Sequence, residues 1–408
     1  MEVLSPANVK AMDYQEILES ILKREPFKPF DPVLMAFAKD VSDAVLSDRH
    51  FRGYPDMMAA AHWMRASHIK EVRERYESRR QGRIWLPRGT VVHFAPANVD
   101  TVFIYSWIIS FLLGNKNIIR LSQGRGQQVN AFLQAVNGLL ENKRYQPVSD
   151  RNMFICYGHE ETVTGSLCAQ CDVRVIWGGD ETVRLIRQVP LPPYATEIVF
   201  ADKFSLAAIK SKAVTISTEN DLNDLAGKFY NDAFWFNQNA CSSPRMVVWI
   251  GSKSDNERAK KLFWDALKKV IERNGLKEDV AVGLNRMLTG YSFAAEGLAD
   301  RLSSQGTERP YRLHINDLSD RVRTQHAGGG VFLEMELSSL SLLTRHVTRK
   351  DQTLSVYGFD KDELSEFSSG LLNGGVNRVV QVGQALEFDL IWDGFDLFTY
   401  LSREITVK

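Results

Sequence analysis

Two rhythms of apolar and polar residues divide this chain, and they change near residue 83. Before it, apolar positions recur every three or four residues: Ile17, Leu18, Ile21 and Leu22, then Val33, Phe37, Val41 and Val45. That spacing lays each set along one face of a helix. Ser5-Pro6 and Asp31-Pro32 have the cap-plus-proline form of a helix start. A third, charged helix is expected from about Asp56 to Arg79-Arg80. Residues 1–80 therefore read as a helical lead-in that packs on the main body.

From Arg83 short apolar runs alternate with amphipathic stretches. Runs at 84–86, 90–94, 117–121, 153–156 and 173–177 read as strands, and stretches at 127–140, 161–170 and 181–188 as helices. The run 102–113 is apolar on every side, so it reads as a buried helix; at about twelve residues it is too short to cross a bilayer. Strands alternating with helices imply crossover connections and a largely parallel, buried sheet, with ligands beyond the carboxyl ends of the strands. A second block of this kind starts near Phe204. Strands are expected at 206–209, 214–216, 246–250, 311–315, 330–337 and 353–359. Helices are expected from Glu219 towards Trp235 and at 256–274 and 280–302. The tail from Phe388 is mixed, and no repeat or long linker separates the blocks.

Charge changes the picture by exclusion. The 50 basic and 50 acidic residues cancel, which argues against nucleic acid or an anionic membrane as the main partner. Four cysteines in 408 residues suit a reducing compartment rather than a disulfide framework. The N-terminus has no basic stretch leading into an apolar block, so it does not read as a secretory signal, and a cytoplasmic protein is expected. Cys168-Ala169-Gln170-Cys171 has the CxxC form, but no second pair follows at zinc-ligand spacing.

The segment richest in chemistry is Trp235-Phe236-Asn237-Gln238-Asn239-Ala240-Cys241-Ser242-Ser243-Pro244-Arg245. It sets one cysteine between a helix-like run and a β-like run, where backbone N–H groups would lower a thiol pKa and hold an oxyanion. On local grounds alone an inert buried thiol is the commoner fate of such a cysteine. Three segments precede it, each at a strand end. In Pro96-Ala97-Asn98, the Asn98 amide is either an oxyanion donor or a helix cap. In the stretch Gly114 to Ser122, Arg120 and Ser122 suit a ribose or phosphate; Gly124-Arg125-Gly126 lacks the third glycine of a dinucleotide fingerprint. In Trp177-Gly178-Gly179-Asp180-Glu181, a glycine turn opens a helix, either over a pyrophosphate or capped by its own acids.

Taken in this order, the segments resemble the aldehyde dehydrogenase superfamily. The closer likeness is its acyl-CoA (fatty-acyl) reductase branch, similar to the reductase subunit of the bacterial bioluminescence fatty-acid reductase complex. Asp351-Gln352-Thr353 and the closing Asp393-Gly394-Phe395 to Leu401 belong to the likeness, which spans most of the chain from residue 83. It implies an α/β fold of two Rossmann-type three-layer α/β/α domains with an N-terminal helical segment and a short bridging element. The expected division is a nucleotide-binding domain at 81–205, a catalytic domain at 206–385, and a tail at 386–408 returning to the body or to an oligomer interface.

The resemblance also implies NADPH- or NADH-dependent reduction of an acyl thioester, from acyl-CoA or an acyl-protein, to an aldehyde. In that reading Cys241 is the nucleophile and Asn98 the side-chain half of the oxyanion hole. Arg120 and Ser122 contact the adenosine ribose, and Gly178 and Gly179 turn over the pyrophosphate. Glu334 and Glu336 are candidates for the glutamate that holds the nicotinamide ribose, and Glu336 is taken forward. A homo-oligomer and an acyl-activating or acyl-transferring partner protein are further expectations. One departure is informative: where hydrolytic relatives carry a glutamate base, the stretch Val199-Phe200-Ala201-Asp202-Lys203-Phe204-Ser205 is apolar at that position, and Asp202 is either a substitute base or, more commonly, half of an ion pair with Lys203. Without a base to activate water, an acyl-enzyme survives until hydride arrives. Two other readings stay open here, a CoA-independent aldehyde dehydrogenase and a non-catalytic interaction subunit. Phe234, Trp235 and Phe236 either line an acyl tunnel or pack in the core.

Overall fold

The computed structural model describes residues 1–7, 14–96, 101–158, 160–275, 280–304 and 309–407. The chain divides into two compact units, Met1–Ala201 with Leu390–Lys408, and Asp202–Asp389.

The first unit carries strands β1 (Glu2–Ser5), β2 (Ile84–Pro87), β3 (Thr90–Phe94), β4 (Lys116–Leu121), β5 (Asn152–Cys156), β6 (Val173–Trp177) and β7 (Thr196–Phe200). Six of them form a sheet of order β1-β5-β4-β3-β6-β7. All neighbours are parallel except β1 against β5. β3, β5 and β6 are buried along their whole length, so their apolar residues do not alternate with exposed polar ones; Thr90, His93, Asn152 and Arg174 are buried with them. Helices α1 (Tyr14–Lys23), α2 (Pro32–Ser47), α3 (Pro55–Trp63) and α4 (Ala66–Arg80) come first. Then α5 (Phe103–Leu112), α6 (Gln127–Leu140), α7 (Gln146–Ser149), α8 (Glu161–Ala169) and α9 (Asp180–Arg187) join the strands. α2 starts as its sequence predicts: the Asp31 carboxylate accepts from the Val33 N–H at 3.0 Å, with proline in the first turn. α5 is buried on nearly every side.

From β3 the chain builds β4 and β5 outward on one side, then returns to place β6 and β7 on the other. The strand order reverses between β3 and β6, and a parallel sheet opens a crevice at its carboxyl edge where this happens.

The second unit carries β8 (Phe204–Lys210), β9 (Pro244–Ile250), β10 (Arg301–Leu302), β11 (Tyr311–His314), β12 (Val331–Leu337), β13 (Asp351–Tyr357) and β14 (Arg378–Gln381). Their order is β10-β11-β12-β9-β8-β13-β14, parallel except for β10. Helices α10 (Ser211–Thr215), α11 (Glu219–Phe234), α12 (Lys253–Arg273) and α13 (Val280–Ala295) accompany them. Alternate strand residues feed two separate apolar layers. Leu206, Ala208, Met246 and Val248 point into one. Ala207, Ile209, Val247 and Trp249 point into the other, against Phe229 of α11 and Phe263 and Trp264 of α12. The C-terminal segment adds a hairpin of β15 (Ile391–Trp392) and β16 (Phe395–Asp396), and β17 (Ser402–Ile405), which pairs antiparallel with β2.

Three expectations are corrected. The N-terminal region opens on a strand, not a helix: Val3 and Leu4 are buried by pairing with β5, a tertiary contact that four residues do not advertise. Residues 214–216 are β-branched and read as a strand, yet lie at the end of α10, which packs on α12 and whose first residue bonds Asn256 at 2.6 Å. The helix expected over 280–302 stops at Ala295, because Gly297 turns the chain at φ +67° and Arg301–Leu302 pairs with β11 instead. Among the described residues no helix is long and apolar enough to cross a membrane.

Candidate active site

The segment after α11 is held by one amide. Asn237 and Gln238 both adopt left-handed backbone, φ 49° and 60°, a conformation that costs energy outside glycine. Gln238 offsets it by stapling the turn in place. Its fully buried side chain accepts from the Gly330 N–H at 2.7 Å and donates to the Pro244 and Val331 carbonyls at 3.0 and 2.9 Å. These partners stand at the amino ends of β9 and β12, so the turn carrying Cys241 is anchored there.

Cys241 is half-buried. Its carbonyl accepts from the Ser205 hydroxyl at 2.6 Å, and the same hydroxyl accepts from the Thr353 N–H at 3.2 Å. Its sulfur accepts from the Gln352 amide, Nε2 to Sγ 3.3 Å. Arg245 lies close by, with its Nε on the Gln238 carbonyl at 3.3 Å and its guanidinium 6.0 Å from the Phe204 ring. Burial lowers the Arg245 pKa, and the charges of Asp202 and Cys241 oppose that shift. Behind it, buried His326 donates from Nε2 to the Val331 carbonyl at 3.0 Å and accepts at Nδ1 from the Gly328 N–H. Burial, helped by the nearby Arg245 charge, pushes the His326 pKa down to about 3 and keeps it neutral.

Ser205, Cys241 and Gln352 thus meet at the amino ends of the adjacent strands β8, β9 and β13. The carboxyl-end rule expected of both blocks does not describe this one. Ser205, Gln352, Thr353 and Arg245 were not singled out as site residues from sequence. Gln352 and Thr353 appeared within a matched segment, and Arg245 within the cysteine stretch, without roles. The available signal was polarity: Asp351, Gln352 and Thr353 open a strand that is buried almost throughout.

The other candidates fall elsewhere. Arg120 and Ser122 close β4, and Gly178-Gly179 follows β6, so they flank the carboxyl end of β3 where the strand order reverses. Arg120 donates from Nη2 to the Tyr157 and Gly158 carbonyls, both at 3.0 Å, and its guanidinium lies 5.3 Å from the Tyr157 ring centroid. The Ser122 hydroxyl accepts from the Gly124 N–H and shapes that turn. A Cβ at Gly178 would come within 3.1 Å of Thr182, whereas one at Gly179 would meet nothing within 4 Å. No side chain caps α9. The opening of α9 therefore leaves room above Gly179 for a phosphate group. Beside Tyr157 a cavity of about 480 Å³, lined by Glu2, Gln123, Arg125, Cys156 and Glu160 among others, is of a size to take an adenosine. The residues present fit a dinucleotide. Asn98 lies outside the described residues.

Glu336 is not brought to Cys241. It pairs with Trp249 near the carboxyl end of β9, the opposite end from the cysteine. There its carboxylate takes Lys260 at 2.6 Å and Asn256 at 3.2 Å. Its neighbour Glu334 is buried and accepts from the Trp249 and Trp264 indoles at 2.8 and 2.9 Å. Both glutamates are structural here. So is the CxxC pair: Cys168 and Cys171 are buried free thiols, and burial pushes Cys171 up to about 12. Among the described residues no acid, histidine and cysteine cluster could hold a metal ion. Phe234 stacks on Tyr230 in the core, while Trp235 is exposed. Val199 packs against the apolar core of the first unit.

Compared with known proteins, residues 65–404 match the model of the acyl-CoA reductase (LuxC) family. The chain belongs to that family. It is 23% identical over 308 residues to a long-chain acyl-protein thioester reductase of Aliivibrio fischeri, a match covering 73% of this chain and 59% of that protein. The chain thus spans 59% of the length of this relative. Among solved structures, a putative aldehyde dehydrogenase from Burkholderia cenocepacia superposes with a TM-score of 0.69 at 12% identity, covering 97% of this chain and 91% of that one. An indole-3-acetaldehyde dehydrogenase mutant of P. syringae, in complex with NAD+ and IAA, gives 0.61 at 10% identity, covering 98% and 85%. These likenesses establish the aldehyde dehydrogenase fold for this acyl-CoA reductase family member.

Proposed function

We propose that this protein reduces a long-chain acyl thioester, from acyl-CoA or an acyl-protein, to an aldehyde through an acyl group carried on Cys241. The carrying observation is the Cys241 sulfur, half-buried and facing an amide donor from Gln352. The thiolate attacks the thioester carbonyl. A bond forms from Cys241 sulfur to the acyl carbon, the donor's carbon–sulfur bond breaks, and the donor leaves as a thiolate that takes up a proton from water. Gln238 and Ser205 hold the turn still, so the sulfur does not have to be ordered during reaction. A nicotinamide cofactor, when bound, supplies the hydride that takes the acyl group to aldehyde and frees the thiolate. Arg120 and the Gly178-Gly179 turn would hold its ribose and pyrophosphate, and the cations Arg120 and Arg125 at the end of β4 favour NADPH over NADH.

The test is NADPH oxidation with acyl-CoA donors of increasing chain length. The wild type should consume NADPH with long chains and release aldehyde. Cys241→Ala should lose about a thousand-fold or more of that rate while still binding NADPH. Aldehyde oxidation without CoA, or no NADPH consumption with any thioester, would overturn the reading.

A further inference from the structure

We propose that the Gln352 side chain is the group that keeps Cys241 as a reactive thiolate, and that Arg378 and Thr353 aim it. This deepens the acyl-acceptor reading and rests on it. Three contacts in one direction support the assignment. Arg378 Nη1 donates to the Thr353 hydroxyl at 3.4 Å, that hydroxyl donates to Gln352 Oε1 at 3.3 Å, and Gln352 Nε2 donates to Cys241 Sγ at 3.3 Å. Arg378 is itself fixed by the Ala385 and Glu387 carbonyls at 3.1 and 2.7 Å. An amide can be turned end for end, but here the hydroxyl on Oε1 leaves the N–H end for sulfur. The guanidinium at the head of the relay polarises every donor after it.

The relay is rigid for reasons beyond itself. Gln352 and Thr353 are fully buried. The Asp351 carboxylate before them takes a two-point grip from buried Arg323, at 2.9 and 2.6 Å. The Thr353 N–H is on Ser205, which also holds the Cys241 carbonyl. Main chain and sulfur of Cys241 are therefore referred to the same stretch of β13, and the amide cannot drift from the thiol. An N–H donor stabilises a thiolate more than a thiol, so it lowers the thiol pKa. It cannot accept a proton, so unlike a carboxylate it does not activate water against the acyl-enzyme. The charged groups around the sulfur are Arg245 on its own segment, Asp202 before β8, the Asp351–Arg323 pair at the start of β13, and Arg378 through Thr353. Neutral His326 packs behind Arg245.

The experiment is the pH dependence of iodoacetamide alkylation at Cys241, read from the mass of its peptide so that Cys156, Cys168 and Cys171 do not count. It is run on wild type, Gln352→Leu, Gln352→Glu and Thr353→Val without acyl donor or cofactor. Gln352→Leu should move the midpoint of the profile up and slow alkylation at pH 7 by roughly ten-fold. Gln352→Glu keeps the shape but sets a carboxylate against the sulfur, and should slow it further. Thr353→Val leaves the amide in place but unaimed, and should give a smaller loss of about three-fold. Unchanged midpoints in variants that keep the wild-type urea transition would overturn the assignment. If Gln352→Leu fails to fold, the two near-isosteric variants carry the same test. Because alkylation needs no substrate, a chain that never oxidises NADPH can still show these shifts. Conversely, thioester reduction with an unmoved profile overturns Gln352 alone.

Discussion

The two units carry the same architecture, a parallel sheet between helices, yet place their chemistry at opposite ends of the strands. In the first, Arg120, Ser122 and the Gly178-Gly179 turn gather at the carboxyl edge, where the next helix begins and presents its N–H groups. Those N–H groups can face a phosphate, with Asp180 and Glu181 in the same first turn. In the second, Cys241, Ser205 and Gln352 gather at the amino edge. A helix packed on a parallel sheet runs against the strands, so α11 brings its carboxyl end, and the negative end of its dipole, towards that edge. There the side chains of Gln352 and Arg245 stand at the cysteine segment. The same fold thus sets a helix start at one edge and a side-chain cluster at the other.

Separability of the two edges is the strongest handle on this comparison. Arg120→Ala should weaken NADPH binding by about ten- to a hundred-fold, as expected for losing hydrogen bonds from a charged group, and leave Cys241 alkylation unchanged. Fluorescence titration of NADPH alongside the alkylation rate checks both halves; slowed alkylation would show that the edges are not independent.

A second test uses a strongly depressed histidine found in each unit among the described residues. His93, buried in β3 between Ser106 and Asn117, is pushed down to about 4 by burial, and His326 to about 3. The ordinary value is 6.5. Between that value and the folded ones, the unfolded chain binds protons that the folded chain refuses. Stability from these groups is therefore complete above pH 6.5 and lost as pH falls towards 4 and 3, each by about 1.4 kcal/mol per pH unit. Urea midpoints from pH 7.5 down to 5 should fall; His326→Gln should flatten the part belonging to the second unit. A level profile in the wild type would contradict the burial of both rings.

The smallest expected effect is the most pointed. Glu336→Gln should change NADPH affinity by less than about two-fold and cost on the order of 1 kcal/mol of stability, from its pair with Lys260. A ten-fold loss of affinity would restore it to the cofactor site.

Much of this was legible in the chain. The apolar-rich runs at 90–94 and 173–177 marked buried parallel strands because full burial on both faces removes alternation, even with His93 and Arg174 inside them. Asp31-Pro32 marked the start of α2 because its cap is local. The cysteine stretch and the segments before it marked the family, since each is a short run of neighbouring residues. What stayed hidden depends on residues far apart. β1 is too short to show its period and exists because β5 offers it an edge. Glu336 resembled a ribose ligand until the register against β9 put it at the wrong end of the strand.

By itself, then, the amino-acid sequence determined the two alternating blocks and the family, and marked Cys241 as the candidate nucleophile, because patterning and short motifs act within a few residues. Tertiary structure alone decided which edge of each sheet carries the site and which side chain meets the sulfur. Gln352 is separated from Cys241 by more than a hundred positions, and only parallel pairing of β8, β9 and β13 brings them to hydrogen-bond distance.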